Sequence, residues 1–252
     1  MAERKCATKD AEWVGEQLGG SMLYRCATTS VAGFVQQLAT AYIGHGYRYY
    51  AVRRIPRGKE LRGVDARIVA AYGLALSKWQ RSRRRRAGQA NAQYIRHGLF
   101  AVLIATPPEG GHPFFRECPD YQDIRKRAIR FAGYSIGCSY STRTRRWHAS
   151  VRVEREQFMR MKAYFEEVAT KRSTRSLSRE LGGLRFEPFA KVARQYLSLL
   201  KRVNACRAAA GLEQLPESCL RLHRKSILPF ETRASSPSTP ERMLGPWQGG
   251  EG

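Results

Sequence analysis

The segment from Asn91 to Thr106, NAQYIRHGLFAVLIAT, constrains the fold of this chain most strongly, because it is a long run of mostly apolar residues. Such a run is typical of a central strand that is buried on both faces. Gly98 lies inside it, at a position where the strand can bend. No apolar run in the chain approaches the roughly 18 to 20 residues that cross a bilayer. We therefore predict a central strand of a folded domain and no membrane-spanning segment.

Three further segments have the composition of strands. Residues 47–60, YRYYAVRRIPRGKE, are aromatic and β-branched up to a turn signal at positions 56–58. The segments IRFAGYSIGCSY and RRWHASVRVE are joined by the polar turn STRT. The second of them alternates between two sets of side chains, and this predicts one buried face and one polar face. The buried set is Trp147, Ala149, Val151 and Val153, and the polar set is His148, Ser150 and Arg152.

Five other segments are predicted to be helical, four of them from apolar residues at helical spacing. The first contains Val31, Phe34, Val35, Leu38 and Tyr42 and follows Ser/Thr capping candidates. The second covers residues 62–72 and ends before Gly73. The third continues the helical stretch after this glycine, through residues 77–88. The fourth covers residues 154–172, and the last carries Val192 to Ala210 and ends at Gly211.

Together these elements predict an α+β fold with a mainly antiparallel sheet of about four strands and helices packed on one face. We divide the chain into an N-terminal arm, residues 1–28, a single α+β domain, residues 29–231, and a tail, residues 232–252. The tail contains RASSPSTPERMLGPWQGGEG, which is rich in proline, serine and glycine, and we expect it to be disordered.

The chain has a formal net charge of +24, from 45 Lys and Arg against 21 Asp and Glu. An excess of this size repels itself in a compact monomer, so a polyanionic partner is the simplest compensation. Of the basic residues 35 are arginine, whose planar guanidinium forms paired hydrogen bonds to phosphate and stacks on bases. GC-rich coding also inflates arginine, but it does not explain the shortage of acids. We therefore expect a nucleic-acid partner rather than a membrane surface.

The strongest local signal is KWQRSRRRRAGQANAQYIRH, in which six basic residues fall within nine positions. No acidic residue lies between Asp65 and Glu109, so these cations repel one another unless a phosphate backbone is near. Trp79 and Tyr94 are candidate rings for base stacking beside this charge. The alternative is a solvated basic helix face with Trp79 in the core. The six basic residues are Lys78, Arg81, Arg83, Arg84, Arg85 and Arg86.

The tip and outer face of the predicted hairpin form a second candidate binding surface. Tyr134 and Tyr140 are nearby rings that suit single-stranded bases. The alternative is a solvated hairpin end whose arginines discourage edge-to-edge pairing. A third group lies in residues 47–57, where rings alternate with cations, and it contributes Arg53 and Arg54. The candidates on the hairpin are Arg143, Arg145, Arg146, His148 and Arg152.

The acidic stretch EGGHPFFRECPDYQD is where a metal-dependent nuclease, recombinase or transposase would place its carboxylates. Glu117, Asp120 and Asp123 are spaced by three, which predicts one side of a helical turn, and Mg²⁺ held there would neutralise the phosphate being cleaved. The same acids can instead balance neighbouring basic residues. The chain contains no P-loop and no Gly-x-Ser-x-Gly elbow. We expect a binding protein without metal or cofactor, with Mg²⁺ only in the nuclease alternative.

The sequence therefore predicts a protein that grips nucleic-acid phosphates through arginine clusters. Structured RNA is slightly favoured over DNA, because arginine beside tyrosine suits bent backbones and unstacked bases. A ribonucleoprotein or a mobile element is the expected setting, and protein partners would then share the complex. The six cysteines are scattered without a CxxC pair, which indicates reduced thiols and a cytoplasmic location.

Overall fold

A computed structural model describes residues 17–18, 21–22, 24–107, 111–185, 187–222 and 227–230. The predicted disordered tail lies outside the described residues, and so does most of the predicted N-terminal arm. Within the arm, the short strands β1, Gln17–Leu18, and β2, Ser21–Met22, pair antiparallel.

Five of the seven described helices lie in segments predicted to be helical, and the helices Pro113–Glu117 and Thr174–Gly182 were not predicted. The first, α1, passes into a π-helical stretch, Gln37–Tyr42, and a 3₁₀ turn, Ile43–His45. Ser173 caps the helix Thr174–Gly182 by accepting from the Ser176 amide, and Leu177 and Leu181 of this helix are buried one turn apart. The helices are α1, Val31–Gln36; α2, Leu61–Ala71; α3, Lys78–Arg86; α4, Pro113–Glu117; α5, Arg155–Val168; α6, Thr174–Gly182; and α7, Ala190–Ala209.

Seven further strands form two antiparallel sheets, which confirms the α+β class. A four-stranded sheet has the order β4-β5-β3-β6, and a three-stranded sheet has the order β7-β8-β9. The strands are β3, Tyr49–Arg54; β4, Ala92–His97; β5, Phe100–Ala105; β6, Gln122–Asp123; β7, Ile129–Phe131; β8, Tyr134–Ser141; and β9, Arg146–Val153.

The apolar segment that we predicted as one central strand forms two strands, β4 and β5, which fold back on each other as a hairpin. Ala92 pairs with Ala105 at one end and His97 with Phe100 at the other. Gly98 has a φ of 55°, a left-handed conformation that glycine adopts without steric cost, so the chain turns here instead of bending. Both faces of the hairpin are buried, as the apolar composition predicted.

Apolar side chains cover both faces of the four-stranded sheet. On one face Ile95 and Val102 join a cluster with Phe34 of α1 and with residues of the three-stranded sheet, α5 and α7. On the other face Tyr94 and Leu103 pack with side chains from the α2 and α4 regions. The sequence indicated helices on one face only, because periodicity identifies the buried side of each element but not the layer that covers it.

The three-stranded sheet packs against α7 through β9. The Gln195 side chain of α7 accepts from the Val153 amide at 2.8 Å and donates to the Val153 carbonyl at 3.1 Å. The first strand of the predicted hairpin, IRFAGYSIGCSY, divides into β7 and β8. The chain turns between them at Ala132 and Gly133, whose φ values are 47° and 79°. The β8–β9 hairpin is therefore held at its base, and its tip extends beyond the core.

A buried ion pair ties α2 to the central hairpin. The Nε atom of Arg96 lies 2.8 Å from Oδ2 of Asp65, and the two side chains are 11% and 12% exposed. The Tyr94 hydroxyl donates to the same carboxylate at 2.9 Å. Because the charges and the hydroxyl satisfy one another, α2 is fixed against β4 without an uncompensated buried group.

Candidate nucleic-acid interface

The arginine-rich helix α3 is defined by local capping. The Ser77 hydroxyl accepts from the Gln80 amide, and the Gln80 side chain accepts from the Ser77 amide, which is a complete capping box. The Asn91 side chain donates to the Arg81 carbonyl at 3.1 Å and so ties the helix to the start of β4. The helix has no buried residue, so its register is set by these polar contacts and not by an apolar stripe.

Trp79 lies on the outside of α3 and is 82% exposed. Arg83 and Arg86 follow it at four and seven positions, so the three side chains share one face of the helix. Both arginines are exposed. The alternative in which Trp79 belongs to the core is therefore wrong, and the helix presents an indole in line with two guanidiniums.

The other cations of α3 differ in their exposure. Arg81 is half-buried, and its guanidinium donates to the Leu76 carbonyl. Arg84 is half-buried as well, whereas Lys78 is exposed. The Arg85 guanidinium is 3.5 Å from the His45 carbonyl, at the end of the 3₁₀ turn. Of the four consecutive arginines, Arg83 and Arg86 thus form the outer pair that shares a face with Trp79, Arg85 is exposed beside the 3₁₀ turn, and Arg84 is half-buried.

Charge on the outer face of α3 is not balanced locally. Within the part of the chain that the structure describes, no carboxylate lies at ion-pair distance from Arg83, Arg84, Arg85 or Arg86. Side chains of like charge that are one or three positions apart on a helix repel one another. A bound phosphate backbone would relieve that repulsion.

Tyr94, the second ring predicted to stack beside α3, has no exposed surface. Its hydroxyl donates to Asp65, and desolvation by burial raises the pKa of that hydroxyl far above its ordinary value. The reason is that Tyr94 lies on the inner face of β4, in the middle of the central hairpin. We therefore remove Tyr94 from the candidate interface.

The tip of the β8–β9 hairpin presents two exposed rings that are cross-strand partners. Tyr140 is 50% exposed and Trp147 is 38% exposed, and their ring centroids are 5.6 Å apart. The predicted alternation holds for the buried residues Val151 and Val153, but Trp147, predicted on the same buried face, lies beyond the end of the core. Tyr134, the other predicted ring, is fully buried at the base.

Four exposed basic side chains share the hairpin tip with these rings. Arg143, Arg145, Arg146 and His148 are all exposed. The His148 imidazole is 2.6 Å from the Thr144 hydroxyl across the turn. Arg145 has a φ of 50°, which is unusual for a residue with a side chain and places a charged group at a position that favours glycine. Arg152 lies elsewhere, six residues further along β9 and roughly 20 Å from the tip.

Two further residues connect α3 with the hairpin: Arg48, which belongs to the ring-and-cation group predicted in residues 47–57, and Arg125, which we did not select from the sequence. The Arg48 guanidinium donates to the carbonyl oxygens of Ile43 and Tyr47, beside the turn that Arg85 approaches. The Arg125 guanidinium lies 6.0 Å from the ring centroids of both Tyr49 and Trp147. Segment 43–49 therefore borders both basic clusters. A ring-and-cation alternation in residues 47–50 was the signal for this segment, but Arg125 stood out in no pattern.

Arg53 and Arg54 lie at the opposite end of β3. The Arg53 guanidinium forms two hydrogen bonds with the Asp120 carboxylate, at 2.8 and 2.9 Å. Arg54 is exposed and lies 5.8 Å from the Phe100 ring centroid. The structure therefore does not bring this pair together with Tyr49 and the hairpin tip.

The three carboxylates considered for metal binding do not share a helical turn. Glu117 ends α4, Asp120 lies in a turn and Asp123 ends β6. Hydrogen bonds from Arg53 lower the pKa of Asp120, and hydrogen bonds from Arg125 lower the pKa of Asp123. Among the described residues, no three His, Cys, Asp or Glu side chains are grouped as a metal site would require. Asp123 instead pairs with its neighbour Arg125, as the alternative predicted, and Asp120 pairs with Arg53, which is distant in sequence.

No family model, curated protein or solved structure matches this chain. In the described part of the chain, every helix is too short or too polar to cross a bilayer.

Proposed function

We propose that this protein binds nucleic acid along a surface formed by the outer face of α3 and the tip of the β8–β9 hairpin. The observation that carries the proposal is the exposure of Trp79 in line with Arg83 and Arg86. An indole that is 82% exposed contributes nothing to the core. Beside two guanidiniums, however, it can stack on a base while the arginines bind the adjoining phosphates.

The hairpin tip supports the same proposal with an independent pair of rings. Tyr140 and Trp147 are exposed together, and four exposed basic side chains share the hairpin tip with them. Two separated ring-and-cation sites suit a strand whose bases are unstacked, because each ring takes one base and the arginines follow the backbone. We infer a preference for RNA with single-stranded regions over duplex DNA, in a ribonucleoprotein or a mobile-element complex.

The proposal implies that binding depends on salt and only weakly on sequence. Phosphate contacts release counterions and carry no base information, and stacking accepts every base. The five described cysteines form no disulfide, which suits the reducing cytoplasm as the place where this complex forms. We do not propose the nuclease alternative, since Asp120 and Asp123 are engaged by arginines.

Replacement of Trp79 tests the proposal directly. Stacking on one aromatic side chain contributes about 1 to 3 kcal/mol per base, so Trp79→Ala should weaken binding of a fluorescent single-stranded RNA roughly 5- to 150-fold. Trp79→Phe should retain much of the affinity. Met159→Ala is the matched control, because Met159 is an exposed apolar residue on α5, remote in sequence. Binding should be measured by fluorescence anisotropy.

Two results would contradict the proposal in different ways. If RNA and DNA of either strandedness fail to bind at about 0.05 M salt, where phosphate contacts are strongest, nucleic-acid binding itself is refuted. If RNA binds and Trp79→Ala has the affinity of Met159→Ala, the protein binds nucleic acid without α3 as a stacking surface.

A further inference from the structure

A cavity of about 180 Å³ lies on the polar face of the three-stranded sheet. Its walls come from the turn at residues 124–128, from β8 and β9, and from the first turn of α7. Ser135 and Arg152, which are cross-strand partners, line it near the base of the hairpin. The Ser135 end of the cavity is five residues, or roughly 17 Å, along β8 from the exposed ring of Tyr140, and the Cys138 end is two residues, or roughly 7 Å, from it.

The 124–128 turn is fixed against β8 by two features. The Asp123 carboxylate accepts a hydrogen bond from the Arg125 amide at 2.9 Å, and the Asp123 carbonyl accepts one from the Lys126 amide at 3.0 Å. A β-carbon at Gly137 would lie 3.1 Å from the β-carbon of Ala128, so the absence of a side chain there lets the turn approach the sheet. The turn therefore holds Arg125 and Lys126 at the cavity.

Four cations line the cavity: Arg125, Lys126, Arg152 and Lys191. Of the carboxylates that the structure describes, Asp123 alone forms an ion pair with one of them, Arg125. Desolvation lowers the pKa of Lys191, and the nearby charges of Arg152 and Arg194 lower it further. The hydroxyl-bearing side chains of Ser135 and Ser150 also line the cavity. The result is a recess with excess positive charge and neutral hydrogen-bond donors.

We propose that this cavity binds the terminal phosphate of a nucleic-acid strand, an inference that rests on the proposed function. A phosphate monoester carries nearly two negative charges at neutral pH and three acceptor oxygens, so it matches several cations better than an internal diester does. Three structural elements also wall the recess, which suits the end of a strand. Its volume equals the liquid volume of roughly six waters, which accommodates a phosphate and part of its sugar.

Short single-stranded RNAs that differ only at their ends test this proposal. One carries a 5′-phosphate, one a 3′-phosphate and one hydroxyls at both ends. Charge-assisted hydrogen bonds should make the protein bind one of the phosphorylated RNAs at least about tenfold more tightly than the hydroxyl RNA. Lys191→Gln, and separately Lys126→Gln, should remove most of this preference and leave the affinity for the hydroxyl RNA unchanged.

Arg194→Gln is the matched control, because it removes one charge from the next turn of α7 and does not line the cavity. It should keep the preference. Equal affinity of the wild-type protein for all three RNAs would overturn the cavity proposal and leave the proposed function standing. If both Lys191→Gln and Lys126→Gln retain the full preference, the assignment to this cavity is overturned. If all three RNAs fail to bind, the cavity proposal is overturned, and if DNA also fails to bind at about 0.05 M salt, the proposed function itself is refuted.

Discussion

Removal of the two outer arginines of α3 should change the salt dependence of binding by a calculable amount. Each phosphate contact contributes about 0.7 to the slope of log affinity against log salt for single strands and about 0.9 for B-DNA. Arg83 and Arg86 are both exposed on the face that carries Trp79. The double variant Arg83→Ala/Arg86→Ala should therefore lower the magnitude of the slope by roughly 1.4 for RNA and roughly 1.8 for duplex DNA.

The same slopes give the expected loss of affinity. Counterion release supplies almost no driving force near 1 M salt, so two lost contacts cost roughly 25-fold for RNA and roughly 60-fold for duplex DNA at about 0.1 M salt. The difference between wild-type and variant protein should shrink steadily as salt rises. Anisotropy titrations at four or more salt concentrations measure both the slope and the intercept.

The control must remove the same charge from another helix. Arg175 and Arg179 are exposed, lie four positions apart on α6 and have no ion-pair partner among the described residues. Replacing both with alanine changes the net charge equally but should alter the slope by much less than 1. If the α6 variant and the α3 variant lose the same slope, binding follows total charge, and the reasoning that assigns α3 to the interface is refuted.

Two further predictions concern stability. Asp65→Asn should lower the free energy of unfolding by about 3 to 5 kcal/mol in urea titrations, because it leaves the Arg96 charge buried without its partner. The double variant Asp65→Leu/Arg96→Leu should recover part of this loss. A loss below about 1 kcal/mol for the single variant would show that the ion pair is solvated. Stability should also fall in alkaline solution. Burial raises the pKa of Tyr42 to about 12 and that of Tyr134 beyond this, from an ordinary value of 10.0. The unfolded chain therefore releases these protons first, so the stabilisation is complete below about pH 10 and is lost as the pH rises through the folded-state values. Urea unfolding followed between about pH 8 and pH 11, together with phenolate absorbance, measures this, and constant stability over that range would contradict it.

Local signals predicted the elements that depend on neighbouring residues. The apolar spacing of Phe34, Leu38 and Val192 identified helix faces that are fully buried in the structure. The β8–β9 hairpin and its polar turn were also predicted correctly, since the alternation of Val151 and Val153 requires no tertiary information. The central hairpin was not, because an apolar run does not show whether Gly98 bends one strand or joins two.

Charge patterns identified the basic clusters but not which of their side chains are free to bind. Trp79 and Tyr94 are both aromatic residues beside arginines, yet one is 82% exposed and the other has no exposed surface. Their exposure depends on what packs over each ring. No local pattern contains that information, because the covering residues come from distant parts of the chain.

The sequence alone determined that this chain folds as α+β, has a net charge of +24 and carries two arginine-rich segments. These properties depend on composition and on spacing along the chain. Only the tertiary structure decided that Trp79, Arg83 and Arg86 share an outer face, that Tyr140 and Trp147 extend past the core, and that Arg152 meets Lys191 at a cavity. Those relations join residues far apart in sequence, and only the packing of the two sheets and α7 brings them together.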